Sequence, residues 1–167
     1  VTSRPPLVLE LQVTLNGNSL KLFVINNHFS SLAGGEEATE PRRTAQAAWN
    51  VSLLQEIQSR EPEAMVAIMG DLNSYYDSLP LDTLREAGLV HVFEGNVDED
   101  RLYSYIYLGE SETLDHILVT PGLLALMDDV EAVHINADFP VPISGDPSAQ
   151  RSSDHDPIVA IFTMPLP

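Results

Sequence analysis

The chain has 167 residues, 44% of them apolar, enough for one domain with a core of its own. Its 25 acidic residues against 8 basic ones give a formal net charge of -17, which excludes an extended basic surface for gripping nucleic acid; a polyanionic substrate would need cations or a local basic rim. With no cysteine there is neither a disulfide frame nor a thiolate zinc site, and no apolar run approaches the roughly 20 residues of a membrane span.

The chain begins with Val1 and shows no signal-peptide pattern, which reads as a mature product, an excised segment or a fragment. Leu7, Leu9, Leu11, Val13 and Leu15 alternate with Val8, Glu10, Gln12 and Thr14, a period of two that predicts a half-buried strand. Asn16-Gly17 predicts a tight hairpin turn, and residues 20–25 form the return strand, which runs into Asn26, Asn27 and His28. A polar, glycine-containing loop over 30–40 leads to a helix expected to start near Pro41, with Thr39 as its N-cap. Ala45, Trp49, Leu53 and Ile57, with Leu54 beside them, mark its expected apolar stripe, and Pro62 lies beyond its end.

Residues 64–69 are a short continuous apolar run, as for a strand covered on both faces, ending at Gly70-Asp71. A short helix is expected over 80–87, closing at Gly88. Tyr103, Tyr105 and Tyr107 alternate with Leu102, Ser104, Ile106 and Leu108 in another strand. Strands over 114–120 and 130–136 are joined by a turn and a helical turn over 121–127; a proline-, serine- and glycine-rich loop covers 140–153, and a last strand covers 157–162. Strands outnumber helices, yet the helix between two strands argues for a layered α/β design.

Four polar clusters sit at the ends of these runs: NNHF at 26–29, GDLN at 70–73, LDH at 114–116 and SSDHDP at 152–157. Asp71 follows a buried strand through a glycine, where a carboxylate can accept a proton from water and the Asn73 amide can bond a phosphate oxygen or fix the Asp. The structural alternative is an Asx turn. Asp154, His155 and Asp156 precede a strand, and neighbours in an extended chain point to opposite sides, so His155 is expected to face opposite to Asp154 and Asp156 unless the loop is kinked, one carboxylate binding a metal while the other caps or pairs on the outside. Asp115 pairs best with His155, since a carboxylate beside an imidazole fixes its tautomer and favours the charged form. The alternative for Asp115 is an ordinary turn residue. His28 ends its strand on the face of Asn26, where a merely hydrogen-bonded polar residue would also sit. His91, His116 and His134 read as structural or surface histidines, and the tyrosine stripe as packing more than a base-stacking platform. Arg151, beside SSDHDP, is a better phosphate contact than Arg42 or Arg43, which suit the first turn of a helix.

The ordered set NNHF, RRTAQA, GDLNSY, YSYIYLGESETLDHILVT, HINADFP and RSSDHDPIVA resembles the endonuclease/exonuclease/phosphatase superfamily of divalent-metal phosphodiesterases, and within it the bacterial extracellular nuclease branch. The similarity runs from about Leu7 to Phe162. It implies an α/β fold, a four-layer β-sandwich flanked by helices, with the site at one end of the sheets. By the family pattern Asp71 would position or deprotonate the attacking water, and Asn73 would hold it and the phosphate. His155, oriented by Asp115, would stabilise the transition state. His28 would contact phosphate or donate a proton, Arg151 would bind phosphate, and Asp154 would help hold the metal, Mg2+ with Mn2+ or Ca2+ as alternatives.

The resemblance departs in one respect. The family's first half carries a strand-end Asn and a metal-binding Glu in a Gln-Glu pair, whereas here Gln55-Glu56 falls in the helix after NNHF. Residues 1–167 are therefore expected to be the C-terminal portion of such a domain, with sheet edges open to self-association or to a missing N-terminal half. The implied function is a nuclease on DNA or RNA, extracellular or periplasmic, without membrane partners. The alternatives are a non-catalytic truncated module, or a phosphatase or lipid phosphodiesterase with the same core chemistry.

Overall fold

In the computed structural model, which describes residues 4–95, 101–145 and 147–163, the chain opens with a hairpin. β1 (Leu7–Leu15) and β2 (Asn18–His28) pair antiparallel, Leu11 opposite Leu22. They turn at Asn16 (φ 51) and Gly17 (φ 85), the two positive-φ residues that a type I′ turn requires. After α1 (Glu36–Arg60), β3 (Met65–Asp71) returns parallel to β2 and sets Phe23 against Val66, Ile25 against Ile68 and His28 against Asp71. Then come α2 (Leu79–Glu86), the two-residue β4 (Val90–His91), the hairpin of β5 (Tyr105–Tyr107) and β6 (Glu110–Glu112), and β7 (Asp115–Val119). The short α3 (Pro121–Leu124) connects to β8 (Met127–Ala132), and β9 (Ile158–Phe162) closes the described chain.

The main sheet runs β1-β2-β3-β7-β4, mixed in direction; β5-β6 and β8-β9 are separate two-stranded ladders. Period-two alternation sends Phe23, Ile25, Val66, Ile68 and Leu118 to one face, where Ala47 and Leu54 of α1 and Leu81 and Leu84 of α2 cover them. Ala67, Ile117 and Val119 point to the other face and pack with Val130 and Ala132 of β8 and, half-buried, Ile158, Ala160 and Phe162 of β9. Sheet faces sheet across an apolar layer, with helices outside the larger one, as the α/β expectation requires. Ile25, Ile68 and Leu118 are fully buried, each worth about 1.5–3 kcal/mol relative to exposure.

Several elements differ from the sequence reading. β1 was expected to be half-buried, yet Leu7, Val8, Leu9, Leu11 and Val13 are all exposed because β1 is an edge strand with no layer over either face among the described residues. α1 starts at Glu36, with Gly35 at the N-cap position and Pro41 inside the helix; Thr39 bonds the Gly35 carbonyl from its N–H and its hydroxyl instead of capping. The buried face of α1 is Arg43, Gln46, Ala47, Asn50 and Leu54, whereas Trp49 is 56% exposed. A reading by apolarity misses that face because its polar members find partners inside: Gln46 accepts from the Ser30 N–H and Asn50 exchanges amide bonds with Asn27. The strand expected over 102–108 is cut to β5 by a turn at Leu108 (φ 50) and Gly109 (φ 90), which sends the chain back as β6. The strand expected over 130–136 ends at Ala132, because residues 135–137 peel away to bond Asp156. In the 140–153 loop, residue 146 lies outside the described residues.

Candidate active site

The parallel register of β2 and β3 ends both strands together and places His28 beside Asp71, with His28 Nε2 3.2 Å from Asp71 Oδ2. The Arg4 guanidinium lies against the same imidazole, its Nη1 2.7 Å from Nδ1 and 2.6 Å from Nε2. The antiparallel register of β3 and β7 puts Asp115 opposite Asp71 on the other side. One sheet end thus gathers three of the four polar clusters.

The turn after β3 is shaped by Gly70 and Asn73. Gly70 has φ 124, and a Cβ there would sit 2.1 Å from the Asn27 carbonyl oxygen, so only glycine fits. Asn73, at φ 45, folds back so that its backbone N–H donates to Asp71 Oδ1 at 2.9 Å and its side-chain amide to Asp71 Oδ2 at 3.0 Å and the Phe29 carbonyl at 3.3 Å. Burial pushes the Asp71 carboxyl above its ordinary range and Asp115 adds to this, while the Asn73 N–H, His155 and His28 pull the other way. The Asx turn expected as the structural alternative is present, and it holds both carboxylate oxygens of Asp71.

Across the cavity, Asp115 Oδ2 accepts from His155 Nδ1 at 2.6 Å and from the Ser104 hydroxyl at 2.7 Å. The carboxylate fixes the proton on Nδ1 and leaves Nε2 as the nitrogen for the cavity. Its hydrogen bond is the main reason that His155 is raised above the usual imidazole range, against the opposing effect of burial; Asp71 and Asp154 reinforce the rise.

The cavity holds about 880 Å³, and His28, Asp71, Asn73, Asp154 and His155 all line it, with Tyr75, Tyr105, Tyr107, Glu112 and residues 31–36 as its walls. Asp154 is exposed at the rim. Asp156 turns away from the cavity and is buried, so the expected opposition of His155 to both carboxylates does not hold: residues 151–155 form a turn and bends instead of extended chain, and Asp154 and His155 share the cavity. Burial alone would raise its pKa, but His134 and the N–H groups of Ala137 and Asn136 outweigh it and hold the carboxyl below its ordinary value.

Arg151 is not brought to the cavity. Its Nη1 donates to the carbonyls of Asn136 and Ala137, at 3.1 and 3.3 Å, and its backbone N–H to the Ile135 carbonyl, so it ties two loops together. Ser104 was missed by the sequence reading. It is fully buried, bonds Asp115, and accepts from the N–H groups of Leu114 and Asp115. A serine between tyrosines carries no spacing signal; only its burial gives it away.

Asp71, Asp115 and His155 present ligand atoms within 4.8 Å of one another. The 2.6 Å contact between two of them is a hydrogen bond, so we read this cluster first as a proton-handling unit. An oxygen-rich rim that includes Asp154 and Glu112 nevertheless fits a hard divalent cation held by one or two carboxylates and its own water.

No curated protein sequence matches the chain. Among solved structures it is similar to truncated TDP2 from Caenorhabditis elegans, with a TM-score of 0.61 and 21% identity over 95% of this chain and 60% of that one. It is also similar to an AP endonuclease from Archaeoglobus fulgidus, with a TM-score of 0.58 and 18% identity over 93% of this chain and 65% of that one. A third is the 3′ phosphatase NExo from Neisseria bound to product DNA hairpin, with a TM-score of 0.54 and 19% identity over 93% and 65%. The chain thus spans between 60% and 65% of the length of these three proteins, and they share its fold. Residues 4–137, which hold the first three polar clusters, match the model of the Endonuclease/Exonuclease/phosphatase family, and the chain belongs to that family.

Proposed function

We propose that the protein is a divalent-metal-dependent phosphodiesterase, a nuclease on DNA or RNA of the bacterial extracellular branch that its motifs resemble. The observation that carries this reading is that the Asn73-clamped Asp71 and the Asp115-bound His155 line one cavity. The DNA bound by the similar Neisseria phosphatase supports a nucleic acid substrate.

Asp71, raised by burial, is a base strong enough to draw a proton from water. Asn73 keeps both carboxylate oxygens oriented while this happens. His155, whose protonated form Asp115 favours, donates from Nε2 to a phosphoryl oxygen as charge builds there. His28 contributes a second imidazole beside Asp71. Asp154 is a lining carboxylate that could hold the cation, since Asp71 and Asp115 are committed to Asn73, Ser104 and His155. Mg2+, with Mn2+ or Ca2+ as alternatives, would supply charge neutralisation at the phosphoryl group.

The test is cleavage of plasmid and oligonucleotide by the full-length protein. Activity should require a divalent cation, vanish with a chelator, and fall at least about 100-fold in Asp71→Ala and His155→Ala. Cleavage that survives chelation or both substitutions rejects the mechanism. A non-catalytic module that associates through the exposed face of β1 is the second reading, favoured by the five exposed apolar side chains there. It predicts no metal-dependent turnover and concentration-dependent self-association.

A further inference from the structure

The three alternating tyrosines separate into two roles. Tyr103 packs: its ring stacks on His134 with centroids 4.1 Å apart, and its hydroxyl donates to Asp138 at 3.0 Å. Tyr105 and Tyr107, on the β5-β6 hairpin, line the catalytic cavity. Their rings are near parallel, 15° apart with centroids 6.4 Å apart, which is the spacing of two residues on one strand face. The Tyr105 ring lies 4.7 Å from that of His155, and Tyr107 stands next along the wall with 54% of its surface exposed. The hairpin therefore offers a flat aromatic face to whatever group neighbours a phosphate held at His155.

The electrostatics of the same cavity point the same way. Its lining carries Glu36, Asp71, Glu112 and Asp154 and no Lys or Arg. Arg43 is buried with its Nη1 on Thr39 and its Nη2 on the Glu36 carbonyl, Arg151 is bound to carbonyls, and Arg4 lies on His28. A paired duplex is gripped through many phosphates by Lys and Arg, and that grip is lacking among the described residues. Stacking of unpaired bases on aromatic rings needs no such grip, and each stacked base is worth about 1–3 kcal/mol.

We propose that Tyr105 and Tyr107 form a stacking platform for an unpaired nucleobase next to the scissile phosphate, so that the substrate is single-stranded nucleic acid or a frayed end. The proposal rests on the phosphodiesterase reading, and binding and turnover are measured separately to keep the two apart.

Binding of a short fluorescent single strand, a matched duplex and a strand with abasic residues is followed by anisotropy on the full-length Asp71→Asn protein with Mg2+. The single strand should bind at least about 10-fold more tightly than the duplex or the abasic strand. Adding Tyr107→Ala should weaken single-strand binding about 10-fold, and Tyr107→Phe should restore it. Duplex binding as tight as single-strand binding, or a Tyr107→Ala change within about twofold, overturns the proposal. Hydrolysis of the single strand by the unsubstituted protein is the separate readout. Binding that depends on Tyr107 without hydrolysis supports the platform and rejects the phosphodiesterase reading; hydrolysis with binding indifferent to Tyr107 does the reverse. Because Tyr107 is exposed, its replacement leaves the fold intact.

Discussion

Ser104 donates its hydroxyl to Asp115 at 2.7 Å, on the same carboxylate oxygen that receives His155. The hydroxyl also accepts two backbone N–H groups at the start of β7, so the loop before β5 and the first residue of β7 are fastened at one atom. Asp115→Asn should therefore lower the His155 pKa, because the hydrogen bond that raises it is weakened. Titration of the His155 ring protons by NMR would show the shift toward lower pH, and kcat should fall about 100-fold or more. An unmoved His155 titration would rule out this role for Asp115. Ser104→Ala, by leaving two N–H groups without an acceptor, should cost about 1–3 kcal/mol of stability.

The pH–rate profile should be a bell. Asp71 must be ionised to act as base, and its carboxyl is raised above 3.8, so the acid limb lies above the ordinary carboxylate range. His155 must be protonated to donate, and its imidazole is raised above 6.5, so the alkaline limb lies above the ordinary imidazole range. The plateau of kcat/KM lies between them, and Asp115→Asn should move both limbs to lower pH, the alkaline one because His155 loses the bond that raises it and the acid one because Asp71 loses a neighbouring negative charge. A profile that rises steadily through neutral pH would contradict the assignment of His155 as acid.

How much of this was legible beforehand depended on whether the signal was local. The strand ends at His28 and Asp71 were readable because each closes an apolar run, and the turn at Asn16-Gly17 because its chemistry is confined to two residues. The Asp115–His155 pairing, 40 residues apart in sequence, was reachable by asking which carboxylate each imidazole needs. What was not legible depends on tertiary context. Arg43, Gln46 and Asn50 look like a solvated helix face until Thr39, Ser30 and Asn27 are brought to them. Leu9 and Leu11 look buried until β1 proves to be an edge. Arg151 lies next to the His155 cluster in sequence, but its side chain bonds the 136–137 carbonyls from a positive-φ backbone.

Gly70 is a sharp local test of the site's frame. Its φ of 124 is disfavoured for any side chain, and the neighbour a Cβ would strike is backbone, the carbonyl of Asn27. That carbonyl cannot retreat easily, because the Asn27 side chain is held by Asn50 and by the Ile25 carbonyl. Gly70→Ala should cost about 3 kcal/mol or more, read as a drop in the urea midpoint. Any residual folded protein should have lost activity, since the β2–β3 register that sets His28 beside Asp71 is the part displaced. A change below about 1 kcal/mol would mean that the two strands separate there at little cost.

The buried pair of His91 and His116 makes the fold sensitive to acid. The Phe93 N–H donates to His91 Nδ1 at 3.1 Å, so the His91 proton sits on Nε2 and is donated to His116 Nδ1 at 3.0 Å. His116 in turn donates from Nε2 to the Ser74 carbonyl at 2.7 Å, on the turn that carries Asp71 and Asn73. Every nitrogen is matched only when both rings are neutral; an added proton on either sets two N–H groups facing each other. Burial lowers both pKa values, that of His116 to about 4. In the unfolded chain each histidine takes up its proton near 6.5, so between there and about 4 the unfolded state binds more protons. Stability is then full above that window and is lost as pH falls through it, by up to about 1.4 kcal/mol per pH unit for each histidine. The raised pKa of His155 works in the opposite sense, so the comparison must be made against a variant. Urea unfolding of the metal-free protein from pH 7 to 4.5 should show the loss. His116→Phe should be less stable at pH 7, because His91 Nε2–H and the Ser74 carbonyl lose their partner, yet its stability should fall less steeply with acid. An identical slope in the two proteins would show that the acid sensitivity arises elsewhere.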